Sequence, residues 1–144
     1  MRDITVERPE HRIELRVYYQ DTDTGGVVYH ANYLNFAERG RNEIMRELGF
    51  PCSRLFKEFG MVFVIRHCSI DYKAPGHLDD LLTVASRVTE LGGASMRMEQ
   101  KILRGEEELA IVDIKIGCVT PQGRAMRMPP ELKARFLEVF TVKQ

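Results

Sequence analysis

These 144 residues predict an α+β domain in which an antiparallel sheet wraps around one long central helix. Three features carry that expectation: a period-two stretch at 11–19, one sustained helical period at 33–48, and four β-rich runs in series behind it. At 44% hydrophobic and 29% charged, the chain fits a single domain over 1–144 with one core.

From His11 to Tyr19, Ile13, Leu15, Val17 and Tyr19 alternate with Arg12, Glu14, Arg16 and Tyr18, the pattern of a half-buried strand. Tyr33, Phe36, Ala37, Gly40, Ile44 and Leu48 then recur at helical spacing, and Gly49 is the natural stop. Such a helix runs about 25 Å at 1.5 Å per residue, long enough to cross a small sheet. Gly40 on its apolar side weakens it by about 1 kcal/mol relative to Ala, which points to close packing against a neighbour. Residues 51–60 read as a connection with a short helix through Ser53 to Phe59.

Strands are expected at Met61 to Lys73, Leu81 to Leu91, Ala94 to Leu103 and Leu109 to Thr120, separated by Pro75-Gly76, Gly92-Gly93 and Gly105-Glu106-Glu107. The last three are hairpin-connected and so antiparallel. Pro129-Pro130 opens a final short helix, Glu131 to Val139. Long strands leave an edge, and a second copy of the chain would cover it, so an oligomer is expected.

Charge narrows the function classes. Lys plus Arg and Asp plus Glu both total 21, so no global field draws the chain to nucleic acid or an anionic membrane. No stretch approaches the ~18 apolar residues of a membrane span, and Met1–Glu10 lacks the apolar run of a signal peptide. The expectation is a cytoplasmic protein. Cys52, Cys68 and Cys118 lie far apart without Cys-x-x-Cys pairing, which suggests neither a disulfide framework nor a thiolate metal site.

Reactive groups concentrate in Tyr18-Tyr19-Gln20-Asp21-Thr22-Asp23-Thr24-Gly25-Gly26-Val27-Val28-Tyr29-His30-Ala31-Asn32-Tyr33. If the strand continues through it, Asp21 and Asp23 point the same way. Lying just before a helix, they meet free N–H groups and the positive end of the macrodipole. An ionised Asp there can serve as a general base on water or attack a carbonyl, while N–H groups near Tyr29 to Asn32 polarise the carbonyl oxygen. Three other readings compete. Both aspartates could be turn and capping residues. Asp-Thr-Asp-Thr-Gly also looks like the nucleophile motif of haloacid-dehalogenase-like phosphatases, though the order of elements opposes it. Asp21, Asp23 and His30 could ligate a metal, but no second His sits at matched spacing.

The run Val17 to Tyr33, followed by Phe36 and Glu38-Arg39-Gly40-Arg41, resembles the signature of the 4-hydroxybenzoyl-CoA thioesterase family. More closely it resembles that family's Tol-Pal-associated acyl-CoA thioesterase subgroup. The likeness extends from about Arg12 to Phe136, through Ser69-Ile70-Asp71-Tyr72-Lys73-Ala74-Pro75 and Leu78-Asp79-Asp80. Thr24 and Gly40 stand where alanine is common, and neither change removes a reactive group.

The resemblance implies a hotdog fold, assembled as a homodimer or homotetramer with active sites at the dimer interface. It implies hydrolysis of an acyl-CoA thioester to free acid and CoA, with Asp23 as nucleophile or general base, Tyr19 and His30 beside it and Asp21 structural. Gly26, Val27, Val28 and Tyr29 would present the backbone to the substrate, and Arg66 and Lys73 are candidates for the CoA end, with Arg87, Arg97 and Arg127 behind them. No metal and no cofactor is expected. The alternative is a non-catalytic oligomer that holds acyl-CoA or acyl carrier protein within the cell-envelope machinery. A hotdog dehydratase is a minor further option, since it would need a His with an acidic partner from the opposing chain.

Overall fold

A computed structural model describes residues 10–140; the N-terminal stretch read above for a signal peptide lies outside them, save Glu10. The chain forms strand β1 (His11–Arg16), helix α1 (Asn32–Glu47), a one-turn helix α2 (Cys52–Arg54) continued by a wide π-type turn (Leu55–Phe59), then β2 (Val62–Tyr72), β3 (Leu81–Leu91), β4 (Ser95–Arg104), β5 (Glu107–Val119) and helix α3 (Pro130–Val139). Every expected element is present, most within two residues of its expected ends. The five strands make one antiparallel sheet in the order β1-β3-β4-β5-β2, the hotdog arrangement that the resemblance implies.

The sheet closes on α1. Tyr33, Phe36, Ala37, Gly40, Ile44 and Met45 are the helix's buried face, matching the sequence period. They meet the inward rows of the sheet, such as Val84 on β3, Met98 and Ile102 on β4, and Val112 and Ile114 on β5. Gly40 is where the helix comes closest: an added Cβ would lie 2.7 Å from Val84 Cγ1 and 3.1 Å from Gln100 Nε2. Gln100 is a polar residue in an otherwise apolar row, fully buried, and its Nε2 donates to Ala37 O and Ser86 Oγ. The carbonyl of α1 and the hydroxyl of β3 thus satisfy it, as a buried amide requires.

The first strand is shorter than the alternation suggested. Its partner β3 begins at Leu81, opposite Arg16, so the ladder ends there. Tyr19–Asp21 instead turn as a single 3-10 loop, and Tyr19 is 83% exposed rather than inward like Val17.

Candidate functional site

The turn that ends β1 separates the two aspartates. Asp21 is buried; its Oδ2 accepts the Tyr18 N–H at 2.8 Å, and its carbonyl accepts the Tyr29 N–H and Asn32 Nδ2. It therefore ties the end of β1 to the start of α1. The shared orientation conditional on a continued strand does not arise, because the strand stops first. Asp23 is exposed on a tight reversal: its N–H donates to Val27 O, its carbonyl accepts the Gly26 N–H, and Oδ1 accepts the Gly25 N–H at 2.8 Å. Gly26, with φ of 80°, supplies the left-handed backbone that this reversal needs. The Thr22–Val28 bridge folds the loop back, so Asp23 projects at the tip of a small hairpin leading into α1.

A second loop clamps this hairpin. Val28 N–H donates to Gly76 O at 2.8 Å, Val27 bridges to His77, and Val17 exchanges backbone bonds with Asp79 and Asp80. Tyr33, from the first turn of α1, accepts the Gly76 N–H on its phenol oxygen, and its pKa is raised chiefly by burial. Asp80 anchors the loop to β4 through Arg104 Nη1 at 2.6 Å, while its Oδ2 accepts the His77 N–H. Desolvation pushes Asp80 up, but these hydrogen bonds and the Arg104 charge outweigh it and hold the carboxyl below its ordinary range. Parts of the segments 69–75 and 78–80 that carried part of the resemblance, Tyr72 and Leu78 to Asp80, thus meet the main motif in space.

The helix start supplies a short row of donors. The N–H groups of Tyr29 and Asn32 are already engaged, to Asp21 O and Tyr29 O, and Val28 N–H is engaged to Gly76. Among the described residues, those of His30 and Ala31 have no acceptor, which narrows the expected Tyr29-to-Asn32 stretch to its middle pair. Tyr72 fixes this stretch from β2: its hydroxyl donates to His30 O at 2.9 Å, and its ring packs edge-on to His30 and Tyr33. The His30 imidazole is exposed against Tyr29 and Tyr72, with no hydrogen bond to Asp23.

The remaining candidates are dispersed. Arg66, at a bulge in β2, lies across Gly117, where an added Cβ would be 2.7 Å from its Cδ. Arg127 lies likewise over Gly93. Lys73 follows β2 and reaches Asp71 only at 3.9 Å. Among the described residues no group of three His, Cys, Asp or Glu is arranged to hold a metal ion. Sequence reasoning gave no role to Tyr72, Arg104 or Gln100; Tyr72 lay within the 69–75 run of the resemblance, and Gln100 stood out as the polar member of the alternation Met96, Met98, Gln100, Ile102.

Hollows lie along α1. A polar cleft of about 350 Å³ is lined by Asp21, Asn32, Asn35 and Glu38 among others. An apolar cavity of about 260 Å³ lies farther along the helix, bounded by Glu38, Arg41, Met45, Met61, Met98 and Phe136 with residues of β2.

Comparisons with known proteins bear on the family and the fold. Residues 25–111 match the model of the thioesterase superfamily. The chain is 43% identical over 123 residues to the acyl-CoA thioesterase YbgC of Haemophilus influenzae, covering 85% of this chain and 90% of that one. It is 39% identical over 127 residues to the acyl-CoA thioester hydrolase YbgC of Escherichia coli O6:H1, covering 87% and 94%. Among solved structures, a probable thioesterase from Bartonella henselae superposes with a TM-score of 0.80 at 42% identity, over 83% of this chain and 99% of that one. A hotdog sheet closed on one helix, a family match over more than half of the chain and relatives matched over most of their length together place the chain in the thioesterase superfamily.

Proposed function

We propose that this acyl-CoA thioesterase uses Asp23 as its reactive carboxylate. A thioester carbonyl set over the start of α1 would accept hydrogen bonds from the free His30 and Ala31 N–H groups, which stabilise the oxyanion as it forms. Asp23 then either takes a proton from the water that attacks the carbonyl or attacks it directly, giving an anhydride that water opens. In both routes the C–S bond breaks, CoA leaves as a thiol once protonated, and the acyl group leaves as a free acid. The observation that carries this reading is the exposed Asp23 carboxylate on a hairpin that leads straight into donors without acceptors. Neither route calls for a metal or a cofactor beyond the CoA of the substrate.

The active unit in this proposal is a homodimer or a larger even assembly, in the cytoplasm. Tyr19, Asp23 and His30 are all exposed in one chain, whereas oxyanion stabilisation is strongest where water is excluded. Strand β2 is a sheet edge of 11 residues, with Ile65 about half exposed, and a second copy would cover it. Arg66 and Arg127, each across a glycine, are the cations proposed for the CoA phosphates. Membership of the Tol-Pal-associated subgroup belongs to the same proposal.

Asp23→Asn keeps size and removes the charge. It should lower turnover of an acyl-CoA by at least ~100-fold while the circular dichroism spectrum and sedimentation stay those of the wild type. Turnover within a few-fold of wild type would sink the assignment. Activity should also survive exhaustive chelation.

A further inference from the structure

Arg41 lines an apolar cavity, and the carboxylate that acts on its charge, Glu38, is exposed to solvent. The residue is half-buried on α1, and its pKa is pulled down, chiefly by desolvation. Among the described residues its one hydrogen bond runs from Nη1 to Gln100 Oε1 at 3.0 Å, and it makes no ion pair. A guanidinium has five N–H donors, so most of them remain available. Gln100 cannot turn away, because its Nε2 is held by Ala37 O at 2.8 Å and Ser86 Oγ at 2.9 Å. The core thus aims a neutral acceptor at Arg41 and fixes the guanidinium, leaving most of its donors open toward the cavity.

The cavity beside it has the apolar lining of an acyl site. At about 260 Å³ it falls below the roughly 300–1,000 Å³ of pockets for drug-sized ligands, and it suits a short chain. Glu38 lines both this cavity and the cleft next to the Asp21–Asn32 tie, so the two hollows share a wall. Asn35, Glu38, Asn42 and Met45 recur at three- and four-residue steps along that wall, a rise of about 15 Å on one face of α1. A thioester held at the helix start would send its acyl chain along this face, with its far end at Arg41. Glu38 is exposed, so water screens its charge from that end.

We infer that this chain takes a short acyl group ending in a carboxylate, the monothioester of a dicarboxylic acid, with Arg41 binding the far carboxylate and Gln100 as its positioning residue. The methylenes fill the apolar lining, and the carboxylate meets the guanidinium in a charge-assisted pair. A chain ending in methyl would leave those donors desolvated and unmatched, which disfavours it. This inference rests on the acyl-CoA reading above.

Binding of non-hydrolysable S-alkyl-CoA thioethers separates the two. Calorimetry on the full-length protein would compare carboxyl-ended, hydroxyl-ended and plain alkyl thioethers of equal chain length. The carboxyl-ended analogue should bind about tenfold tighter than the alkyl one. Arg41→Met should erase that preference and Arg41→Lys should keep part of it, with thermal unfolding showing that both variants fold. Equal affinities in the wild type, a tighter hydroxyl-ended analogue, or an equal loss for all three in Arg41→Met would overturn the inference. So would a change of assembly state in Arg41→Met by sedimentation, since the guanidinium would then serve a contact between copies. A carboxylate preference in a protein that hydrolyses no acyl-CoA would sink the hydrolase reading and leave this one standing.

Discussion

Asp21 and Asp23 are the same side chain two positions apart, and the fold gives them opposite work. Asp21 Oδ2 accepts a partly buried N–H, so Asp21→Ala strands the Tyr18 donor and should destabilise the chain by about 1–3 kcal/mol in urea unfolding. Asp23 bonds only its own exposed turn, so Asp23→Ala should change stability by about 0.5 kcal/mol or less while removing turnover. Equal losses of stability would contradict the division. The motif was legible as a site because carboxylates, glycines and a helix start are close in sequence. Which N–H groups stay free was not, because that depends on Gly76 taking one donor and Asp21 another, contacts that span up to 48 residues. Tyr72 was hidden for the same reason: its bond to His30 O joins residues 42 apart.

At the scale of elements, periodicity read α1 almost residue for residue, because its buried stripe faces one continuous sheet. It overran β1, since alternation persists through Tyr19 whereas the partner strand starts only at Leu81. A local pattern cannot see where its neighbour ends. Gly40 was read as a close-packing position, and an added Cβ there would crowd Val84 Cγ1, Gln100 Nε2 and Ser86 Oγ. Gly40→Ala gains about 1 kcal/mol of helix propensity but overpacks a tight crossing, which costs about 1–3 kcal/mol. Val84 Cγ1 at 2.7 Å belongs to a fully buried, branched side chain with little room to yield, so the expected sign is net destabilisation. A lower midpoint of thermal unfolding would show it; a rise would mean that β3 retreats freely.

Two dependences belong to the whole molecule. Asp80 and Arg104 fasten the loop 74–80, which clamps the Asp23 hairpin, to the end of β4 beside the start of β3. The Asp80 pKa is held below its ordinary 3.8, so its contribution is fully present above that value and is lost as pH falls through the lower, folded-state one. Stability should drop on acidification below about pH 4, and Asp80→Asn should flatten that slope while lowering stability at neutral pH. An unchanged acid slope in the variant would remove Asp80 from the account. The second dependence is assembly. The described sheet has one long uncovered edge, β2, and the residues proposed for catalysis are open to water in a single chain. If two copies join their sheets edge to edge, a charge placed at Ile65, itself about half exposed on that edge, has to be buried without a partner. Ile65→Glu should then sediment as a monomer that keeps its secondary structure and loses most of its turnover, because the wall that dries Asp23 is gone. The same variant remaining fully active as a monomer would mean that one chain completes the site by itself, and the interface would have to be dropped from the mechanism.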